Sequence, residues 1–194
     1  MILYLMRHGQ TDWNVEGRVQ GWNDTPINKK GLEQAHFAGE KLINEEIETV
    51  YSSDLKRAKK TAEIVSAALD LPLHYTKRLR EMDFGKATGV KKTDLNAKFP
   101  YIYAAFNDLN NLERYDIRYP EGESIGEVQQ RFMKFITKLL EDRRQKVLIV
   151  THGMLVRIFA ESCLKKTLRL ENGSVLRVNF DEKSKKFKSA KVLF

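Results

Sequence analysis

The sequence predicts an α/β fold, a three-layer α/β/α sandwich with a mostly parallel central sheet and a small insertion over its functional rim. Three observations carry that reading. Short β-branched runs (Ile2 to Leu5, Thr49 to Ser52, Val147 to Thr151) alternate with stretches whose apolar residues recur at helical spacing. The 194 residues, 42% of them apolar, are enough to bury one full core. No Gly/Ser linker, internal repeat or low-complexity tract divides the chain, so residues 1–194 are read as a single domain.

The elements follow in order. Ile2 to Leu5 opens the chain as a buried strand, with Met6, Arg7, His8 and Gly9 at its end. Asn28 is placed to cap a helix whose apolar residues are Leu32, Ala35, Gly39, Leu42 and Ile43. Thr49 to Ser52 is the next strand. Asp54 is then expected to cap a helix carrying Leu55, Ala58, Ala62, Val65 and Leu69 on one face, and Pro72 separates it from a short extended piece, Leu73 to Tyr75. Ser124 and Glu127 form a capping-box pattern that opens a helix with Ile125, Val128, Phe132, Ile136 and Leu139 on its buried side. That helix delivers the chain to strand Val147 to Thr151, and a hairpin of Val175 to Phe180 with Phe187 to Val192 completes the count.

The net charge of +8 raises the question of a polyanion-binding surface. The lysines fall in separate short groups (Lys29-Lys30, Lys56 to Lys60, Lys91-Lys92, Lys165-Lys166, Lys183 to Lys188), with no aromatic-interleaved basic tract, so they read as solvated faces and no nucleic-acid partner is expected. The charge still favours small anionic substrates. The single Cys163 excludes an internal disulfide framework and points to a reducing, cytoplasmic setting. Ile2 to Met6 is too short for a signal-peptide core or a membrane span, so no membrane association is expected.

In a parallel sheet, ligands bind beyond the carboxyl ends of the strands. Arg7 and His8 lie just past the first strand, Arg57 lies in the first helical turn past the second, and His152 and Gly153 follow the strand ending at Thr151. They are expected on one rim. Histidine is a common metal ligand, but arginine cannot ligate and its charge repels a cation, so no metal is expected. The arginine fork matches phosphate, helix starts near Gly153 and Asp54 offer free N–H groups, and a neutral His8 can attack a phosphoryl group whose charge its neighbours neutralise.

Together, Arg7-His8-Gly9, the run Ser52-Ser53-Asp54-Leu55-Lys56-Arg57-Ala58 with Thr61, Glu81 after Leu79-Arg80, and Thr151-His152-Gly153 resemble the histidine phosphatase superfamily, the phosphoglycerate-mutase-like clan, across nearly the whole chain. The resemblance implies a phosphohistidine mechanism with no cofactor. It makes His8 the phosphorylated nucleophile, Glu81 the proton donor, and Arg7, Arg57 and His152 the phosphate clamp. It adds Asn14 as a phosphate donor, and Gln20 and Gly21, in the Val19-Gln20-Gly21-Trp22 loop, as substrate contacts beside Gly153. From the residues alone Glu81 is only a loop carboxylate.

Within that resemblance the phosphatase branch is favoured over the mutases. Those are generally longer, with a larger insertion and an Arg-x-Tyr-Gly pattern after the acid, where this chain has Met82-Asp83-Phe84-Gly85. The expected activity is metal-independent hydrolysis of a small phosphate monoester, with mutase-type transfer and non-catalytic phospholigand binding as alternatives. Residues 86 to 120 are the expected specificity insertion, the aromatic run Phe99 to Phe106 is a candidate lid, and Arg114 or Arg118 is the candidate to reach a second anionic group. His36, His74 and Cys163 read as packing or surface residues, while Trp13 and Trp22 either line the cleft or pack. The substrate's identity and the oligomeric state, a homodimer included, stay open.

Overall fold

A computed structural model describes residues 1–141, 143–165, 167–181 and 183–194; Lys166, from one of the lysine groups, lies outside the described residues. In chain order the main elements are β1 (Ile2–Arg7), α1 (Asp12–Val15), α2 (Lys29–Leu42), β2 (Thr49–Ser52), α3 (Lys56–Leu69) and β3 (Leu73–Tyr75). There follow α4 (Leu95–Lys98), α5 (Pro100–Asn107), α6 (Ile125–Leu140), β4 (Lys146–Thr151), α7 (Gly153–Phe159), β5 (Val175–Phe180) and β6 (Phe187–Val192). The strands form one sheet in the order β3-β2-β4-β1-β5-β6. β3, β2, β4 and β1 run parallel, and β5 and β6 add the antiparallel edge that the terminal hairpin pattern predicts.

The two faces of the sheet bury separate apolar clusters. One gathers Leu3, Leu5, Val147 and Ile149 with α6 and α7, through Val128, Phe132, Ile136, Val156 and Phe159. The other sets Tyr4, Met6, Leu148 and Val150 against Ala38 and Leu42 of α2 and Ala58, Ala62 and Val65 of α3. Central strands with side chains buried on both faces explain why β1 and β4 read as unbroken apolar runs rather than alternating ones. Among the described residues no helix is long and apolar enough to cross a membrane.

Local signals held with three corrections. The Ser124 capping box forms with both of its hydrogen bonds, and Asn28 caps α2 by accepting from the Gly31 N–H. Asp54, however, does not cap α3: the cap position is Leu55 and has no side-chain bond. Asp54 instead takes Arg80 in a bidentate pair, both distances 2.7 Å, because a charged fork repays the carboxylate more than a neutral N–H does. Leu32 on α2 and Ile43 just past its end are exposed, and Gly31, Ala35, Ala38, Gly39 and Leu42 form the buried face of α2. Small residues there let α2 approach α3 closely, since a Cβ on Gly39 would stand 2.8 Å from that of Ala68. Finally, Arg114 and Arg118 are engaged elsewhere, with Glu161 at 3.2 Å and Glu127 at 3.0 Å, and neither lines the cavity described below.

Candidate active site

The parallel register of β1 and β4 pairs Arg7 with Thr151, so the two strands end side by side and each hands its next residue, His8 or His152, to the same rim. The imidazole centroids are 5.2 Å apart. β2 ends at Ser52 and α3 begins at Lys56, so Arg57 sits in the first turn of α3 and reaches the same cavity. Gly9 has no room for a side chain: a Cβ there would lie 2.5 Å from the Gly31 carbonyl oxygen, where the start of α2 crosses the end of β1. This contact, with the Gly9 N–H donating to Thr61 Oγ1 at 3.0 Å, fixes the turn that aims His8.

His8 Nδ1 lies 2.7 Å from the Gly9 carbonyl oxygen. A carbonyl can only accept, so Nδ1 carries the proton and Nε2 is left with its lone pair free. Burial, then the charges of Arg57 and Arg7, hold His8 well below the ordinary imidazole range, so the ring is neutral at physiological pH. His152 is fully buried and driven down for the same first reason, followed by Arg57 and His8.

The clamp is notable for what it leaves unpaired. Among the described residues, neither ring nitrogen of His152 has a hydrogen-bond partner, nor do Nε of Arg7 and Nε of Arg57, although all are buried. The Nε atoms of Arg114 and Arg177 are also unpaired but lie away from the cavity described below, whereas Arg7 and Arg57 line it and His152 adjoins His8, so these groups are placed where they can receive a ligand. Arg57, fully buried, is braced by Nη1 donating to the Asn23 carbonyl (2.8 Å) and Nη2 to that of Gly21 (2.7 Å). Burial pushes its pKa down to about 10, which still leaves it cationic. Arg7 is anchored through Nη1 to the Leu170 carbonyl at 2.7 Å. Asn14 Oδ1 accepts from the Thr11 N–H and from Asn172 Nδ2, which settles the amide orientation and turns Nδ2 outward.

Glu81 sits opposite, half-buried, on the loop after β3. Its carboxylate accepts from the Met82 N–H (3.0 Å) and the Met154 N–H of α7 (3.4 Å). Burial raises its pKa above the ordinary carboxylate range, against Arg57 and these two donors. A group whose proton is held more firmly thus lines the same cavity as a neutral imidazole, with Arg57 and Arg7 acting on both, an arrangement suited to acid catalysis beside a nucleophile.

A cavity of about 540 Å³ contains Arg7, His8, Asn14, Gln20, Gly21, Arg57, Glu81 and Gly153, that is, every candidate residue except the more deeply placed His152. Gln20 is buried, its Oε1 accepting from Thr11 Oγ1 at 3.0 Å. Tyr103, Phe106 and Asn107 bring α5 to the wall, so the aromatic insertion does reach the cavity. It is held there through Tyr119, whose ring packs on Phe99, Phe106 and Phe84. Trp13 and Trp22 do not line it. Trp22 acts one step back, its Nε1 donating to the Glu81 carbonyl at 2.8 Å.

Sequence reasoning passed over four further cations on the cavity wall: Arg18, Lys92, Arg157 and Arg169. Lys92 belongs to the lysine groups that read as solvated, and nothing local distinguishes it. Arg157, four residues after Gly153 on α7, carried a usable signal, because helical spacing returns it to the face of the helix start. Asn172 was also missed. It ties the His8 carbonyl (3.0 Å) and Asn14 (3.2 Å) to the loop before β5.

Known proteins resemble this chain along nearly its whole length. The family model described as histidine phosphatase superfamily (branch 1) matches residues 3–192. A relative named probable phosphoglycerate mutase GpmB, from Salmonella arizonae, is 34% identical over 187 residues, covering 93% of this chain and 85% of its own. A mycobacterial glucosyl-3-phosphoglycerate phosphatase solved in complex with VO3 superposes with a TM-score of 0.85 at 28% identity, covering 98% of this chain and 97% of its own. Bacillus stearothermophilus YhfR does so with a TM-score of 0.83 at 30% identity, covering 96% and 94%.

Proposed function

The chain belongs to the histidine phosphatase superfamily, branch 1, and on that premise we propose that it is a phosphomonoester hydrolase working through a phosphohistidine on a small phosphorylated metabolite. The observation that carries the reading is the free Nε2 of a neutral, buried His8 among orphaned arginine and histidine donors.

The chemistry balances with the residues present. A phosphate dianion is received by Arg7, Arg57, His152 and Asn14. His8 Nε2 attacks phosphorus and the ester P–O bond breaks, while Glu81 gives its proton to the leaving oxygen, so that an alcohol departs. Water then attacks the phosphohistidine, Glu81 takes the water's proton, the P–N bond breaks, and inorganic phosphate leaves with His8 and Glu81 restored. Arg7 and Arg57 neutralise the developing charge, the task a metal performs in other phosphatases, so the reaction is proposed to be metal-independent.

Phosphoryl transfer of the mutase type is the second reading, favoured by the names of the curated relatives. Hydrolysis is favoured here because Glu81, though largely buried, keeps part of its surface on the cavity wall, which would give water a route to the phosphoryl group. A screen of phosphorylated small molecules for release of inorganic phosphate tests the proposal. Release without a second phosphorylated product supports hydrolysis, an isomeric phosphate ester supports the mutase reading, and no turnover across the screen overturns both.

A further inference from the structure

One side chain outside the cavity is saturated by the segment that carries Glu81 together with Glu123. Arg131 of α6 has five N–H donors, and all five are used. Nε donates to Glu123 Oε1 (2.8 Å) and Nη2 to Glu123 Oε2 (2.9 Å). Nη1 donates to the carbonyls of Arg78 (2.9 Å) and Arg80 (2.8 Å), and Nη2 to that of Glu81 itself (2.9 Å). Glu123 completes the grip: its Oε2 accepts from the Asp83 N–H at 2.9 Å, and its own N–H donates to the Asp83 carbonyl at 2.8 Å.

The segment needs such a grip. Residues 80–83 have no sheet or helix ladder to hold them, yet the carboxyl they present must meet an oxygen on a phosphate bound by other elements. We propose that Arg131 is a positioning residue for proton transfer, fixing the main chain beneath Glu81 so that its carboxyl is aligned with the leaving oxygen. The inference rests on the reading of Glu81 as the acid. A helix-borne guanidinium suits the task, since α6 is anchored in the core by Val128, Phe132 and Ile136 and transmits that rigidity through a planar fork to the carbonyls of Arg78, Arg80 and Glu81. Lysine, with three donors from a single point, cannot reproduce it. Trp22, donating to the same Glu81 carbonyl from the opposite loop, is an exposed second brace.

The test compares kcat/KM for p-nitrophenyl phosphate, whose leaving oxygen needs little proton assistance, with that for an alkyl phosphate, which needs a great deal. Misplacement of a catalytic group by an ångström costs on the order of 10²-fold, so Arg131→Lys is expected to raise the aryl-to-alkyl ratio by at least about 10-fold, with Trp22→Phe raising it less. Glu81→Gln is expected to raise the ratio most, and adding Arg131→Lys to it is expected to leave the ratio where it stands, because the carboxyl being positioned is gone. A general structural role would lower both substrates in parallel and multiply with Glu81→Gln. Folding of Arg131→Lys is checked by thermal melting, and if it does not fold, Trp22→Phe decides. An unchanged ratio in the folded positioning variant, with a raised ratio in Glu81→Gln, overturns the inference and spares the acid assignment. An unchanged ratio in Glu81→Gln removes the acid assignment and the inference with it.

Discussion

His8 and His152 face each other at 5.2 Å, their rings tilted by 59°, because β1 and β4 are adjacent parallel strands in a register that opposes Arg7 to Thr151. The likeness of the two His-Gly pairs in the sequence is thus a consequence of position. Each histidine is the first residue beyond its strand, one bearing a free nucleophilic nitrogen and the other two unpartnered nitrogens.

Removing the nucleophile should stop the reaction. His8→Ala is expected to abolish phosphate release, and Arg57→Ala and His152→Ala each to lower kcat by on the order of 10²-fold or more, as loss of a charge-stabilising donor does. Steady-state phosphate assays check this, and substantial turnover by His8→Ala ends the nucleophile assignment.

The pH profile should be shifted to the acid side. Burial with Arg57 and Arg7 holds His8 well below 6.5, and burial holds Glu81 above 4.5. For an alkyl phosphate, kcat/KM should rise with pH as His8 loses its proton and fall as Glu81 loses its own. Glu81→Gln should erase the falling limb. An acid limb centred at the ordinary imidazole value would show that His8 is not desolvated. Stability should follow the same sign: unfolded His8 and His152 take up protons below 6.5 that the folded rings refuse, so stability present above that pH is lost as pH falls. Urea midpoints across pH read this directly.

Glu81 should act in both half-reactions. Fed an activated aryl phosphate, Glu81→Gln is expected to accumulate acid-labile, base-stable phosphohistidine at His8, since attack still proceeds while water lacks its base. Rapid-quench labelling checks it, and no trapped label together with equal losses on aryl and alkyl substrates would make Glu81 a binding or structural residue.

The orphaned donors should make inorganic phosphate a stabilising ligand without help from a metal. At one hundred times its Kd, phosphate is expected to add about 2.7 kcal/mol to the folded state, seen as a rise in Tm that persists in chelator and shrinks in Arg57→Ala and His152→Ala. A rise that disappears in chelator and returns with magnesium or zinc would mean that a metal, and not the arginines, holds the anion.

What the sequence determined by itself was local or periodic. The strand Thr49–Ser52 and the hairpin Val175–Phe180 with Phe187–Val192 have the predicted bounds, and the α6 cap and core face are as written in Ser124, Glu127, Ile125, Val128, Phe132, Ile136 and Leu139. Alternation of such elements fixes a parallel sheet, and with it the rim that gathers Arg7, His8, Arg57 and His152. Tertiary packing decided the rest. Asp54 chose Arg80, 26 positions away, over the helix start beside it, and Arg114 was drawn to Glu161 instead of the cavity. Lys92 reached the cavity wall from a run that reads as surface, and Arg131 met the carbonyls of Arg78, Arg80 and Glu81 some fifty residues back in the chain. Periodicity and capping are written within one or two turns of chain, whereas a charged side chain with several reachable partners is assigned only when packing sets which of them is near and dry.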